Sequence, residues 1–263
     1  MVQPEDALTR WATSASHTWL FLDYDGTLAN FAAHPEKLEK DCALVELIQQ
    51  LADSVERFRV TIISGRPLGS LQELLPVPGI FLAGVYGLEV LTPAGNIIRR
   101  ADYPEIRPLL EKARPGWEKS IAGKRGYYIE DKGWSLTLHA PVNDPQEVKQ
   151  VFSEARLAAG NGTLENQFRW FVGPNYLEIV PIQAHKGELV KFLFKKYPLD
   201  GTDLVYIGDD DKDEEAFEEV HELGGINIQV ASPRHPERYP GSDYRLDSPQ
   251  QVRVWLKSLL TDD

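Results

Sequence analysis

The segment "TWLFLDYDGTLANF", residues 18–31, restricts the fold more than any other stretch. Its first half is an apolar run of the kind that fills the middle of a sheet. It then sets Asp23 and Asp25 one residue apart and follows them with Gly26 and Thr27. Carboxylates beside a buried strand are costly unless something neutralises them. In extended chain, residues two apart point the same way, so both acids can approach one ligand. Gly26 permits a tight backbone turn directly after them.

The flanking sequence places that strand in an alternating order. Residues 41–54, "DCALVELIQQLADS", carry apolar residues at helical spacing. "RFRVTIISGR" (57–66) is a second strand, rich in Val and Ile, and Pro67 opens a short helix to about Leu75. "GIFLAGVYGLEVLT" (79–92) supplies a third strand and a hairpin closed by "PAGN". Such an order predicts a parallel sheet with helices on both faces. It changes after Tyr103. A helix over 104–122 leads into "GYYIEDKGWSLTLHAP", which alternates as an antiparallel pair. A helix over 144–159 and two strands, "NQFRWFVG" and "NYLEIVPI", follow. Strands adjoining strands mark a separate α+β unit. From His185 the alternation resumes: helix 185–197, strand "DLVYIGD" (203–209), helix 212–223, strand "GINIQVA" (225–231), a short strand near 243–246 and helix 248–260. The expectation is a Rossmann-like α/β core over 1–103 and 184–263, interrupted at 104–183 by an α+β domain with an antiparallel sheet.

Composition excludes other classes. The 263 residues carry a net charge of −12, which leaves no large basic face for nucleic acid. An anionic substrate remains compatible, because a metal and a few cations can invert the field of one cleft. No apolar run approaches the roughly 18 residues of a membrane span. The N-terminal stretch "MVQPEDALTRWATSASH" lacks the basic and apolar regions of a signal peptide. Cys42 is the single cysteine, so no intramolecular disulfide forms and the cytoplasm is the expected compartment. The chain is expected to act as a monomer on a small molecule.

Ligands of open parallel sheets bind beyond the carboxyl ends of the strands. There this sequence places Asp23 and Asp25, Ser64 of "SGR", and the run "GDDDKDEEAF" (208–217), with Lys186 of "AHKGELV" just inside a helix. Taken singly these are ordinary: a triple-Asp run is a common solvated turn or helix cap. Together they set acids, a hydroxyl and a lysine on one sheet edge. Acids gathered so closely call for a hard divalent cation such as Mg²⁺. One carboxylate could then act as a nucleophile towards phosphorus, with the hydroxyl, the lysine and backbone N–H groups around the transferred group.

In order and spacing, "DYDGTL", "SGR", "AHKG" and "GDDDKDEEAF" resemble the four motifs of haloacid-dehalogenase-type phosphatases. The resemblance implies that Asp23 is the nucleophile, forming an aspartyl-phosphate, and that Asp25 is the acid/base. Ser64, Gly65 and Lys186 would hold the phosphoryl group. Asp23, the backbone carbonyl of Asp25, and Asp209 would bind Mg²⁺, with Asp213 orienting or completing that shell. The inserted domain would be a cap that reads the leaving group.

Several details are similar to trehalose-phosphatases. "GDDDKDEEAF" has their GDD-x-x-DE-x-x-F form, and "YIEDKGWSLTLH" and "YLEIVPIQAHKG" resemble their cap segments. By that resemblance Glu130, Lys132 and Glu178 would bind sugar hydroxyls, and the substrate would be a phosphorylated disaccharide or glycoside, foremost trehalose 6-phosphate. Two positions depart from the pattern. Tyr86 stands where His is usual, and "HAP" (139–141) replaces His-Tyr-Arg. A phosphatase of glucosyl- or mannosyl-3-phosphoglycerate or of a glycosylglycerol phosphate is the alternative, with Arg125 and Arg169 as candidates for a second anion. The non-enzymatic alternative is a receiver-like phospho-aspartate switch. Asp25 argues against it, since a second acid speeds hydrolysis of the acyl phosphate.

Overall fold

The apolar run ahead of the two aspartates is a strand in the interior of an eight-stranded sheet. The computed structural model describes residues 17–31, 39–141, 144–159, 166–232 and 237–261. The N-terminal stretch read above as carrying no leader lies, but for His17, outside the described residues. In chain order the elements are β1 (His17–Asp23), α1 (Cys42–Asp53), β2 (Phe58–Ile63), α2 (Leu68–Leu74), β3 (Phe81–Gly84), β4 (Glu89–Leu91), β5 (Ile97–Arg99), α3 (Tyr103–Ser120), β6 (Tyr128–Asp131), β7 (Leu136–His139), α4 (Pro145–Ala158), β8 (Phe168–Val172), β9 (Tyr176–Pro181), α5 (Lys186–Lys196), β10 (Thr202–Gly208), α6 (Asp211–Glu222), β11 (Ile226–Val230), β12 (Tyr244–Leu246) and α7 (Pro249–Ser258). No helix among the described residues is long and apolar enough to cross a membrane.

The chain divides into two units, Met1–Ile98 with His185–Asp263, and Arg99–Ala184. The first crossing falls at Arg99 rather than 104, because the chain leaves the large sheet at the end of β5 and α3 begins at Tyr103. In the first unit the strand order is β12-β11-β10-β1-β2-β3-β4-β5. From β12 to β3 every pairing of the described strands is parallel, while β4 runs antiparallel to β3. The core is therefore a mixed sheet, with the hairpin at one edge.

Alternation along β1 divides the core of this unit. Leu20 and Leu22 point into a cluster closed by α1, α2 and α7. Trp19 and Phe21 point into a second cluster closed by α5 and α6. Both faces of β1 are thus covered, as its apolar run requires. The Trp19 indole N–H, which would be costly to bury unpaired, donates to Thr61 Oγ1 at 2.8 Å.

The second unit is a four-stranded antiparallel sheet of order β6-β7-β9-β8, with α3 and α4. Leu136, Leu138, Leu177 and Ile179 occupy one set of alternating positions and are fully or almost fully buried. Trp117 of α3 packs against Trp170 of β8 with ring centroids 6.1 Å apart. The opposite set holds Thr137 and His139 of β7 with Tyr176 and Glu178 of β9, and Ser135 just before β7, so one sheet face is mostly apolar and the other mostly polar.

Leu20→Ala empties a fully buried position of the larger cluster. It is expected to lower the unfolding free energy by about 2–5 kcal/mol. Urea denaturation checks this, with a lower midpoint and an unchanged slope.

Candidate active site

Three neighbouring parallel strands deliver the chemistry. β1 ends on Asp23, which pairs with Ile63 of β2. β2 is followed by Ser64 and β10 by Asp209. The first turn of α5 brings Lys186 against them. Its Nζ lies 2.8 Å from Asp23 Oδ1 and 2.6 Å from Asp213 Oδ1, and Lys186 is only 2% exposed. Asp213 binds through both oxygens: Oδ1 also accepts the Tyr206 hydroxyl at 2.6 Å, and Oδ2 accepts the backbone N–H groups of Asp209 and Asp210 at 3.0 and 3.1 Å. Asp210 is the N-cap of α6 and forms a capping box with Asp213. Its carboxylate also takes the Lys212 ammonium at 3.0 Å. The triple-Asp run is thus partly a helix cap: Asp209 turns inward, as does Asp213 beyond the run, while Asp211 is exposed.

The charge balance of this cluster is unfavourable by itself. Burial raises Asp23 well above the usual carboxylate range, with Lys186 opposing and Asp213 and Asp209 adding to the rise. Burial, Asp213 and Asp210 push Asp209 up to about 8. Burial alone would lower Lys186, but Asp213 and Asp23 outweigh it and keep it protonated. For Asp210 burial is outweighed by Lys212 and Lys186, which hold it below its ordinary value. Four carboxyl groups, at Asp23, Asp209, Asp210 and Asp213, share the two ammoniums of Lys186 and Lys212, so ionising all four would leave net negative charge in a buried place.

The residues fit a hard cation. One oxygen each from Asp23, Asp209 and Asp213 lie within 4.8 Å of one another. Asp209 Oδ2 is buried and has no hydrogen-bond partner, as a metal-facing oxygen would be. Gly26 adapts the loop to this carboxylate: its φ is +91°, and a Cβ there would stand 2.4 Å from the Asp209 oxygens.

Asp25 is held differently. Arg66 grips it bidentately, Nε to Oδ2 at 2.8 Å and Nη2 to Oδ1 at 2.6 Å. Ser64 Oγ is 3.3 Å from Asp25 Oδ2 and accepts the Arg66 backbone N–H at 3.1 Å. The segment Val85–Gly87 braces this loop from behind. Val85 N–H donates to Arg66 O and Tyr86 N–H to Ser64 O, while both residues hold left-handed φ values of 48° and 55°. The Tyr86 ring lies against Gly65, where a Cβ would stand 2.7 Å from it.

In the second unit Glu130, Thr137, Glu178 and Phe171 form one cross-strand row. Lys132 Nζ and Ser135 Oγ both donate to Glu178 Oε1, at 2.9 and 3.1 Å. Glu130 Oε2 is 2.9 Å from His139 Nε2, and the Tyr128 ring stacks on His139 at 4.5 Å. The Thr137 hydroxyl between the two acids is buried without a partner. Glu130 lies on β6, whereas Lys132 falls just beyond its end. Arg169 donates to Ala184 O at 3.0 Å and lies 5.1 Å over Phe171. Tyr127 and Trp134 are buried as core.

The structure thus gathers Asp23, Lys186, Asp209 and Asp213 at one point, joins Asp25 to Ser64, and sets Glu130 and Glu178 on the second sheet with Lys132 just beyond the end of β6. Arg66, Tyr206 and Thr137 were not assigned from sequence. Arg66 was visible as the last letter of "SGR", whereas Tyr206 and Thr137 look like ordinary strand residues.

The sequence matches the family model described as trehalose-phosphatase over residues 21–250. A probable trehalose-phosphate phosphatase of Sinorhizobium fredii is 30% identical, over 87% of this chain and 83% of its own length. The trehalose-phosphate phosphatase of Mycobacterium leprae is 27% identical over 91% of this chain, which spans 57% of that longer protein. Among solved structures, the C-terminal domain of Candida albicans trehalose-6-phosphate phosphatase superposes with a TM-score of 0.84 at 19% identity, covering 99% of this chain and 97% of that one. A haloacid dehalogenase-like hydrolase from Bacteroides thetaiotaomicron superposes with a TM-score of 0.61 at 17% identity, covering 92% and 98%. At these identities the two structures establish the fold.

A cation that relieves the buried acids stabilises the folded chain alone. A divalent cation at 100 times its Kd is expected to add about 2.7 kcal/mol. Thermal melting of chelator-treated protein with and without Mg²⁺ reads this as a rise of several degrees, and Asp209→Asn removes most of the rise.

Proposed function

Because the chain belongs to the trehalose-phosphatase family and is a phosphoric monoester hydrolase by that membership, we propose that it hydrolyses trehalose 6-phosphate to trehalose and phosphate. The observation that carries the reading is the buried Asp23 carboxylate at the end of β1, held 2.8 Å from the Lys186 ammonium. A buried, lysine-aligned carboxylate on a sheet edge suits nucleophilic attack on phosphorus.

In this reading an Asp23 oxygen attacks the phosphorus and the ester P–O bond breaks. Asp25 gives its proton to the departing sugar oxygen. The resulting aspartyl-phosphate is hydrolysed when Asp25 takes a proton from water and the water oxygen attacks phosphorus, breaking the bond to Asp23. Lys186, Ser64 and the Gly65 backbone N–H hold the phosphoryl oxygens. Mg²⁺, held by Asp23, Asp209 and Asp213 with the Asp25 backbone carbonyl, would neutralise charge on those oxygens. Tyr206 and the backbone N–H groups of Asp209 and Asp210 fix Asp213 for that task. Glu130, Lys132 and Glu178 bind sugar hydroxyls, which both donate and accept. The Glu178 carboxylate is held in place by Lys132 and Ser135. The enzyme is taken as a cytoplasmic monomer, a location supported by its lone cysteine.

Asp23→Asn is expected to abolish phosphate release from trehalose 6-phosphate while leaving the melting temperature within a few degrees. Retention of more than a trace of turnover would overturn the mechanism. Glu178→Gln, which keeps the shape of the side chain, should lower kcat/KM for trehalose 6-phosphate roughly 10- to 100-fold. It should lower p-nitrophenyl phosphate turnover far less, and equal losses on both would sink the sugar-binding role. A phosphate-release panel with trehalose 6-phosphate, sucrose 6-phosphate, glucose 6-phosphate and glucosyl-3-phosphoglycerate tests the substrate itself.

A further inference from the structure

Resting on the acid/base reading of Asp25, we propose that Arg66 is the positioning residue that aims this carboxylate at the oxygen it must protonate. Asp25 lies beyond the end of β1, in the turn that follows it, and its side chain is 24% exposed. A carboxylate so placed has two free torsions and solvent on one side. General acid/base catalysis requires it within hydrogen-bond reach of the reacting oxygen, held to about 0.5 Å. Arg66 supplies that restraint. Its planar fork meets both carboxylate oxygens at 2.8 and 2.6 Å, which sets the plane of the carboxylate as well as its place.

Arg66 is itself immobilised. Its backbone N–H is tied to Ser64 Oγ and its backbone carbonyl to Val85 N–H, and its guanidinium carbon lies 5.8 Å over the Tyr24 ring. The same Ser64 hydroxyl reaches Asp25 Oδ2 at 3.3 Å. Arg66 therefore joins the phosphate-binding loop and the acid/base group into one unit. A phosphoryl group that engages Ser64 draws on a hydroxyl now shared with Asp25. The Arg66 fork then remains as the restraint that keeps Asp25 pointing at the leaving oxygen, and at the water in the second step. A lysine can meet only one carboxylate oxygen well and would leave the plane of Asp25 unset.

Two substrates and a double-mutant cycle test this. p-Nitrophenolate leaves without needing a proton, whereas the sugar oxygen of trehalose 6-phosphate needs one. With Arg66→Ala, attack by Asp23 on p-nitrophenyl phosphate proceeds but the acyl phosphate is hydrolysed slowly. The expected record is a burst of about one p-nitrophenolate per enzyme and then a steady rate reduced on the order of 100-fold. On trehalose 6-phosphate the expected result is slow turnover without a burst, and KM should change little on either substrate. Arg66→Lys should recover part of the rate. The double variant Asp25→Asn/Arg66→Ala should be no slower than Asp25→Asn alone, because Arg66 acts through Asp25. Multiplying losses in the double variant would overturn the proposal, as would equal losses on both substrates with no burst. Should Arg66→Ala fail to fold, Arg66→Lys decides by the same burst and the same cycle. Unimpaired trehalose 6-phosphate turnover by Asp25→Asn would instead overturn the acid/base reading from which the proposal starts.

Discussion

The contact between the Lys186 ammonium and the carboxylates of Asp23 and Asp213 is the interaction on which the rest of the core unit depends. All three side chains are almost wholly withdrawn from water. Neither sign of charge is tolerable there without the other, and removing the Lys186 ammonium, which both acids share, costs about 3–5 kcal/mol. The fold meets this demand by converging distant parts of the chain. Asp23 comes from the end of β1, Lys186 from the start of α5, and Asp213 from the first turn of α6. The parallel register of β1 with β10 and β2 brings the ends of these strands together on one edge. Two-sided apolar packing of β1 fixes that register against slippage, since a one-residue slip would exchange the two core clusters.

Much of this was legible in the sequence because strand ends are legible. Alternation of apolar runs with helical spacing places Asp23, Ser64 and Asp209 after strands and Lys186 at a helix start, and residue type then suggests chemistry. What spacing cannot show is which side chain a long flexible partner will choose. Arg66 could have faced solvent, and only the folded loop reveals its grip on Asp25. Tyr206 reads as one more apolar residue of β10, yet its hydroxyl orients Asp213. The hairpin at the sheet edge was readable from "PAGN". The end of the core segment was not, because nothing in the composition around Arg99 distinguishes the last strand residue from the linker that follows.

The second sheet follows the same division. Its period-two pattern separates an apolar face from a polar one, which the alternation of "GWSLTLH" already announces. The pairing on the polar face is another matter. Lys132 reaches across to Glu178, and Glu130 turns to His139, the last residue of β7. These are cross-strand choices set by register, and register comes from the whole sheet.

The left-handed pair Val85 and Tyr86 gives the core unit a built-in compromise. Non-glycine residues in that region cost on the order of 1–3 kcal/mol each, and valine, branched at Cβ, is poorly suited to it. Their N–H groups nonetheless secure both ends of the Ser64–Arg66 loop. Glycine at these positions would relieve the backbone strain but would empty two buried sites, Val85 and Tyr86, so the packing behind the loop is what holds the turn in its strained form. Core packing and the shape of the phosphate-binding loop are thus set by the same two residues, at a place that carries no reacting group of its own.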